Sequence, residues 1–198
     1  MKQKEILLFG ATGQIGRNLI RKLTKNNHKV TAVTRNIHKA GYILKTQANP
    51  GYLELIELKN FGYEKINSLI SNCSICINLV GILYEKKKNQ FKNLHTDFPD
   101  MLSTIAKQHN IDKFIHLSAL GIDNSLDSNY AISKLEGEKK IKENFEKFII
   151  LKPSIVYSID DKFTTQFMTL LSRLPIMPLY YNGKTKFTPI HVLDLVDI

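Results

Sequence analysis

The chain predicts an α/β fold: a doubly wound parallel sheet with helices on both faces. Two observations carry that prediction. Six short apolar runs recur between amphipathic segments along the first three quarters of the chain. Most of these runs are continuously apolar rather than alternating, the pattern of strands covered on both faces. The regular strand–helix rhythm then argues for right-handed crossovers between parallel strands.

The strands are expected at residues 5–9, 29–34, 52–58, 74–80, 113–118 and 148–152. Helical spacing links Ile15, Leu19, Ile20 and Leu23 after the first run, and Ile66, Leu69 and Ile70 before the fourth. Leu94, Phe98, Met101, Leu102 and Ile105 form a third stripe, and a fourth helix is expected from about Asp127 to Phe145. After Pro153 the rhythm changes. A helix near residues 162–174 is followed by Pro175, Pro178, an Asn182-Gly183 turn, a short strand near Phe187, and Pro189. Val192 to Ile198 reads as a helix that begins without a stop signal. The expected organisation is one sheet domain over residues 1–155, with residues 156–198 opening a substrate or cap region that a longer chain would complete.

Composition narrows the function classes. The chain has 198 residues, 43% hydrophobic and 23% charged, enough to bury a core and unlike a disordered or fibrous sequence. No apolar run approaches the roughly 20 residues of a membrane-spanning helix, and Ile6-Leu7-Leu8-Phe9 is too short for a signal h-region. A cytoplasmic protein is expected. The net charge of +10 invites a nucleic-acid reading, but lysines are dispersed and the densest run, Lys86-Lys87-Lys88, has no alternating aromatic platform. Nucleic acid is therefore not an expected partner, whereas weak attraction to an anionic lipid surface remains open. Cys73 and Cys76 are spaced like a redox pair or half a zinc site. With no second Cys pair and no His pair at ligand spacing, core thiols are the better reading, and no metal is expected.

The chemistry concentrates at strand ends. Gly10-Ala11-Thr12-Gly13-Gln14-Ile15-Gly16 joins the first strand to the first helix. Unpaired amides and positive dipole charge at a helix N-terminus suit a pyrophosphate. Gly10 would allow the tight turn, Gly13 the approach of phosphate, and Gly16 the packing of helix on strand. The spacing is G-x-x-G-x-x-G rather than the commoner G-x-G-x-x-G. The second strand ends in Thr34-Arg35-Asn36, with no acid to accept from a ribose 2′-hydroxyl. A guanidinium there grips a 2′-phosphate, which favours NADP(H) and leaves NAD(H) as the alternative. Leu58 is placed to border the adenine, and Asn78, Leu79, Val80 and Gly81 to pass along the cofactor.

Tyr130 and Lys134 lie at i and i+4 on one expected helix face. A nearby ammonium is expected to pull the phenol pKa down, so that Tyr130 could move a proton while hydride moves. Ser118, at the end of the fifth strand, would hydrogen-bond the substrate oxygen. Two other Tyr-x-x-x-Lys pairs occur, Tyr84/Lys88 and Tyr180/Lys184, so position rather than the motif selects this one.

Taken together, these residues resemble the short-chain dehydrogenase/reductase superfamily, with its Rossmann-type sheet, in the extended or atypical branch. The closer resemblance runs through residues 114–121 (FIHLSALG), 130–137 (YAISKLEG), 151–157 (LKPSIVY) and 187–192 (FTPIHV). These look like the nucleotide-binding accessory subunit family of respiratory complex I and its bacterial relatives. The resemblance spans nearly the whole chain, and family members run on for about another hundred residues. It implies a bound NADPH without established turnover, a structural or regulatory role in complex I or another membrane-peripheral assembly, and in some relatives a link to quinone metabolism. It also implies that Pro153 and Ser154 lie near the nicotinamide and Asp194 in the segment closing the site. Eleven residues separate Ser118 from Tyr130, roughly half the usual span in active extended-branch enzymes. That departure weights the reading toward cofactor binding. The alternative is an NADP-dependent oxidoreductase or sugar-nucleotide epimerase using Ser118, Tyr130 and Lys134.

Overall fold

The computed structural model describes residues 5–174, 182, 184 and 186–198. Six parallel strands form one sheet in the order β3-β2-β1-β4-β5-β6. They are β1 (Glu5–Phe9), β2 (Lys29–Thr34), β3 (Leu53–Glu57), β4 (Ile75–Asn78), β5 (Lys113–Leu117) and β6 (Phe148–Leu151). The chain starts in the middle, winds outward to β3, then crosses back to β4 and winds the other way. That reversal leaves a crevice at the carboxyl ends of β1 and β4, where ligands bind in open α/β sheets. Phe9 stands level with Val33 on one side and Asn78 on the other.

The helices are α1 (Gln14–Lys25), α2 (Ile37–Lys45), α3 (Tyr63–Ser71), α4 (Phe98–Gln108), α5 (Asn129–Asn144), α6 (Lys162–Arg173) and α7 (Val192–Asp197). The apolar strand runs follow from two cores. Ile6 and Leu8 pack with Ile20 and Leu44 of α1 and α2 on one face. Leu7 and Phe9 pack with Ile66, Leu102 and Ile141 of α3, α4 and α5 on the other. Successive strand residues point to opposite faces, so both sets must be apolar. Cys76 lies in the second core and Cys73 is partly buried against it. Burial pushes the Cys73 thiol up to about 12 and raises Cys76 as well.

The structure departs from the expected elements in four places. The nine-residue α2 has no counterpart in the sequence reading; a polar cap makes it, since Asn36 accepts from the Lys39 amide and Glu57 from the Ile37 amide at 2.8 Å. The helix through Leu94 begins as a π-helical turn over Lys92–Asp97 before Pro99 opens α4. The fourth strand stops at Asn78, whose side chain turns the chain by taking the Val80 amide. The strand expected near Phe187 lies at β8 (Ile190–His191), paired in parallel with β7 (Val156–Tyr157). Pro189 has no N–H to give a ladder, so pairing starts with the Ile190 amide on the Ile155 carbonyl at 2.9 Å. Pro175, Pro178, Tyr180 and Gly183 lie outside the described residues. α7 returns to the sheet domain, where Asp197 meets Lys22 of α1 at 2.6 Å. Among the described residues no helix is long and apolar enough to cross a membrane.

Candidate nucleotide site

The glycine loop is built by close approach. Gly10 has φ +82°, and a Cβ there would stand 2.7 Å from the Leu79 carbonyl carbon. A Cβ on Gly16 would stand 2.5 Å from the Gly10 oxygen. Neither contact is tolerable, so both glycines are demanded by the fold itself. Gly13 differs. Its Cβ would meet only the Gly10 oxygen, at 3.4 Å, and the residue is exposed. No neighbouring backbone crowds that position as at the other two; space is left there.

Gly13 is also the N-cap of α1, which has no side-chain cap and no acid in its first turn. α2, α5 and α6, by contrast, are capped by Asn36, Ser128 and Asp161. The first amides of α1 thus stay available beside a cavity of about 200 Å³. Gly10, Thr12 and Gly13 form one wall, Leu79 to Ile82 with Leu94 another, and Thr34, Arg35, Leu58 and Phe61 the outer end. These donors and this opening suit a dinucleotide pyrophosphate. A wider, more open groove of about 650 Å³ runs past Glu57, Lys59 and Tyr63, away from the glycine loop.

The outer rim carries one uncommitted charge. Arg35 is exposed and makes no ion pair or hydrogen bond among the described residues. The nearest candidate acid at the strand ends, Glu57, is taken up by the α2 N-terminus and lies 3.9 Å from Lys59. Phe61, Ile82 and Leu94 were not expected in the site. Phe61 stacks on Phe98 at 4.0 Å and stands in the loop after β3, a position that hydrophobic periodicity does not flag.

Other expected contacts fall behind or beside this cavity. Gln14 turns sideways, donating to Ser158 Oγ at 2.9 Å and to the Val156 carbonyl at 3.3 Å. Its neighbour Arg17 meets Asp160 at 2.7 Å. Ile15 is half-buried and Gly16 buried. Asn78 is wholly buried, with Oδ1 on the Val80 amide and Nδ2 at 3.2 Å from His116 Nδ1, so it shapes the wall from beneath. His116 Nε2 is buried without a partner. Pro153 and Ser154 are half-buried, and the Pro153 carbonyl accepts from Leu120, tying the loops after β5 and β6 together.

Lys134 comes close to the wall: a Cβ on Gly81 would lie 3.5 Å from its Nζ. The ammonium donates to the Leu117 carbonyl at 2.9 Å. Burial pushes its pKa down to about 8, with Glu138 acting the other way. Two expectations need correction. Tyr130 was to be acidified by Lys134, yet its pKa is raised, because burial strips solvation from the half-buried phenol. Its ring packs edge-on against His95 at 5.4 Å and Phe91 at 5.8 Å. Ser118 was to face a substrate oxygen. Instead its hydroxyl donates to Glu138 Oε1 at 2.6 Å, and Glu138 Oε2 pairs with Lys152 at 3.0 Å. Glu138 stands one turn beyond Lys134 on α5; only that i+4 spacing hinted at it in sequence.

Sheet order, reversal point and an uncapped glycine-lined helix start define a Rossmann-type fold suited to a dinucleotide. The chain belongs to the NAD(P)H-binding family, which matches residues 10–172. It is 28% identical over 188 residues to a Dictyostelium discoideum protein named NADH dehydrogenase (ubiquinone) 1 alpha subcomplex subunit 9, mitochondrial, covering 95% of this chain and 52% of that one. To the Arabidopsis thaliana protein of that name it is 25% identical, covering 95% and 47%. A Caulobacter vibrioides ceramide reductase is 24% identical, with 96% and 57% covered. The chain therefore spans about half the length of the curated relatives it matches. Among solved structures, the Bacillus cereus UDP-glucuronic acid 4-epimerase with UDP-glucuronic acid and NAD superposes with TM-score 0.76 at 20% identity, over 97% of this chain and 70% of that one, which speaks to the fold.

Proposed function

We propose that this chain is the nucleotide-binding part of a complex I accessory-subunit-like protein, and that it holds NADP(H) in preference to NAD(H). The observation that carries the reading is the uncapped start of α1 at Gly13, opening into the cavity while the other two glycines are consumed by packing. Thr12, Gly13, Gln14, Ile15 and Gly16 would hold the pyrophosphate with backbone amides. Arg35 would meet the 2′-phosphate, since it is the unpaired charge at that end. Leu58 would border the adenine, Val80 and Gly81 the dinucleotide's length, and Lys134, Pro153 and Ser154 the nicotinamide ribose and ring. The dinucleotide supplies hydride chemistry when bound.

The role that goes with this site is structural, regulatory or linked to quinone metabolism. A ligand at a hundred times its dissociation constant adds about 2.7 kcal/mol to stability, a large share for a domain of this size. The relatives named as complex I subunits support an assembly partner of that kind, and the proposed location is cytoplasmic, peripheral to the inner membrane. Residues 156–198 would begin the region that reads a second ligand. The alternative, carbonyl reduction or epimerisation through Ser118, Tyr130 and Lys134, draws support from the depressed Lys134 pKa and from the ceramide reductase relative. The Ser118 hydroxyl, spent on Glu138, weighs against it.

The test is to denature the purified protein and identify the released nucleotide, then to titrate stripped protein with NADPH and NADH by calorimetry. NADPH release and tighter NADPH binding are expected. No heat with any pyridine nucleotide on folded protein overturns the reading.

A further inference from the structure

Residues 79–82 line the cavity at four consecutive positions yet belong to no helix or strand. Backbone amides without a ladder of their own must be satisfied elsewhere. The Leu79 amide reaches the Phe9 carbonyl at 3.0 Å. The Val80 amide reaches Asn78 Oδ1 at 3.0 Å, and the Ile82 amide reaches His95 Nε2 at 3.1 Å. The strip is thus held at its near end by β1 and Asn78, and at its far end by one imidazole.

A backbone N–H can only donate, which fixes the sense of every bond beyond it. His95 Nε2 accepts from Ile82, so the ring proton sits on Nδ1 and is donated to Ser133 Oγ at 3.0 Å. The Ser133 hydroxyl then donates to the Tyr130 carbonyl at 2.8 Å. The chain of bonds closes without conflict and runs from the cavity wall into the first turn of α5. His95 is wholly buried, stacked on Phe91 at 5.3 Å. Its place in the π-helical turn depends on Gly137, since a Cβ there would stand 1.9 Å from the His95 carbonyl oxygen.

We propose that His95 is a positioning residue for the dinucleotide: Nε2 fixes the cavity-lining strip at Ile82, and the Nδ1 bond to Ser133 holds the ring in the tautomer that leaves Nε2 free to accept. This rests on the nucleotide reading above.

Three variants separate the two ends of the imidazole. Glutamine can place its amide oxygen near the Nε2 position and keep the Ile82 bond. Asparagine reaches only the Nδ1 position and keeps the Ser133 bond. Leucine keeps neither. NADPH calorimetry on His95→Gln should give affinity within about threefold of the parent, and His95→Asn and His95→Leu about tenfold weaker, the scale of one net hydrogen bond. Amide hydrogen exchange at Ile82 should accelerate in the asparagine and leucine variants and not in the glutamine variant. If His95→Leu does not fold, the Gln–Asn pair decides alone. Parent binding with Gln and Asn indistinguishable, in affinity or in Ile82 exchange, overturns the inference and leaves the nucleotide reading standing. A folded parent that binds no dinucleotide overturns both.

Discussion

The glycine loop and the Ser118–Tyr130–Lys134 cluster sit at the carboxyl ends of the same sheet, and they are satisfied in opposite ways. At the loop, α1 begins without a side-chain cap, and Arg35 stands without a counter-ion among the described residues. At the cluster, Ser118 is bonded to Glu138, Lys134 to the Leu117 carbonyl, and His95 to Ile82 and Ser133. Among the described residues, the Tyr130 hydroxyl makes no hydrogen bond, and the buried His116 Nε2 has no partner. The loop leaves its donors and its charge open, whereas most polar groups of the cluster are already bonded within the protein. That difference favours a protein that retains its nucleotide over one that turns it over.

The largest expected effect separates the glycines. Gly16→Ala drives a methyl into backbone at 2.5 Å and should cost on the order of 3 kcal/mol of stability, read as a lower denaturation midpoint. Gly13→Ala has ordinary backbone angles and no clash below 3.4 Å. It should leave the midpoint nearly unchanged yet weaken NADPH by about tenfold or more, because the methyl occupies space the pyrophosphate needs. If both variants lose stability equally, the loop is merely a structural turn.

Next comes the rim. Arg35→Glu should weaken NADPH by about a hundredfold and NADH by only a few-fold. Equal loss for both would place the guanidinium away from the 2′-phosphate.

The acid side of the pH range tests the bonded cluster. Burial and the neighbouring Lys134 push His95 down to about 4 from 6.5, and His116 to about 3. Tyr130 and Phe91 pack on His95 without adding charge, while Glu136 stands beyond Thr96. Between pH 6.5 and 4 the unfolded chain binds the proton that folded His95 refuses, so stability falls as pH falls through that window. The loss from His95 is roughly 3 kcal/mol. Urea midpoints across that range should drop steeply, and less so in His95→Gln. A flat profile would mean that the imidazole is hydrated.

Much of this is legible in the sequence, for a definite reason. β1 carries Ile6 to Phe9 into two cores at once, so its position could be read from apolarity alone. Gly10, Gly13 and Gly16 could be read because a tight turn and a helix start restrict residue type strongly. What escaped is long-range and polar. α2 depends on Glu57, twenty residues away from Ile37. Ser118 depends on Glu138, and Ile82 on His95. Such pairings leave no periodic trace, and a lone Glu or His in a lysine-rich chain carries no local signal. The Tyr130–Lys134 spacing is legible, but the direction of the Tyr130 shift is not, since it is set by burial, which the spacing does not reveal.

The smallest expected effect belongs to Tyr130. Its pKa is raised by burial alone, and the Lys134 ammonium donates to the Leu117 carbonyl rather than to the phenol. Tyr130→Phe should therefore keep stability and NADPH affinity nearly unchanged, affinity within about twofold, since a hydroxyl that makes no hydrogen bond contributes little. In the parent, ultraviolet titration should show no tyrosinate forming below the ordinary phenol range, because burial raises the Tyr130 pKa. A tyrosinate appearing near neutral pH only after NADPH is added would mean that the nucleotide draws Lys134 away from Leu117 and toward the phenol. In that case the cluster reopens on binding, and Ser118 would have to be tested for release from Glu138 in the same complex.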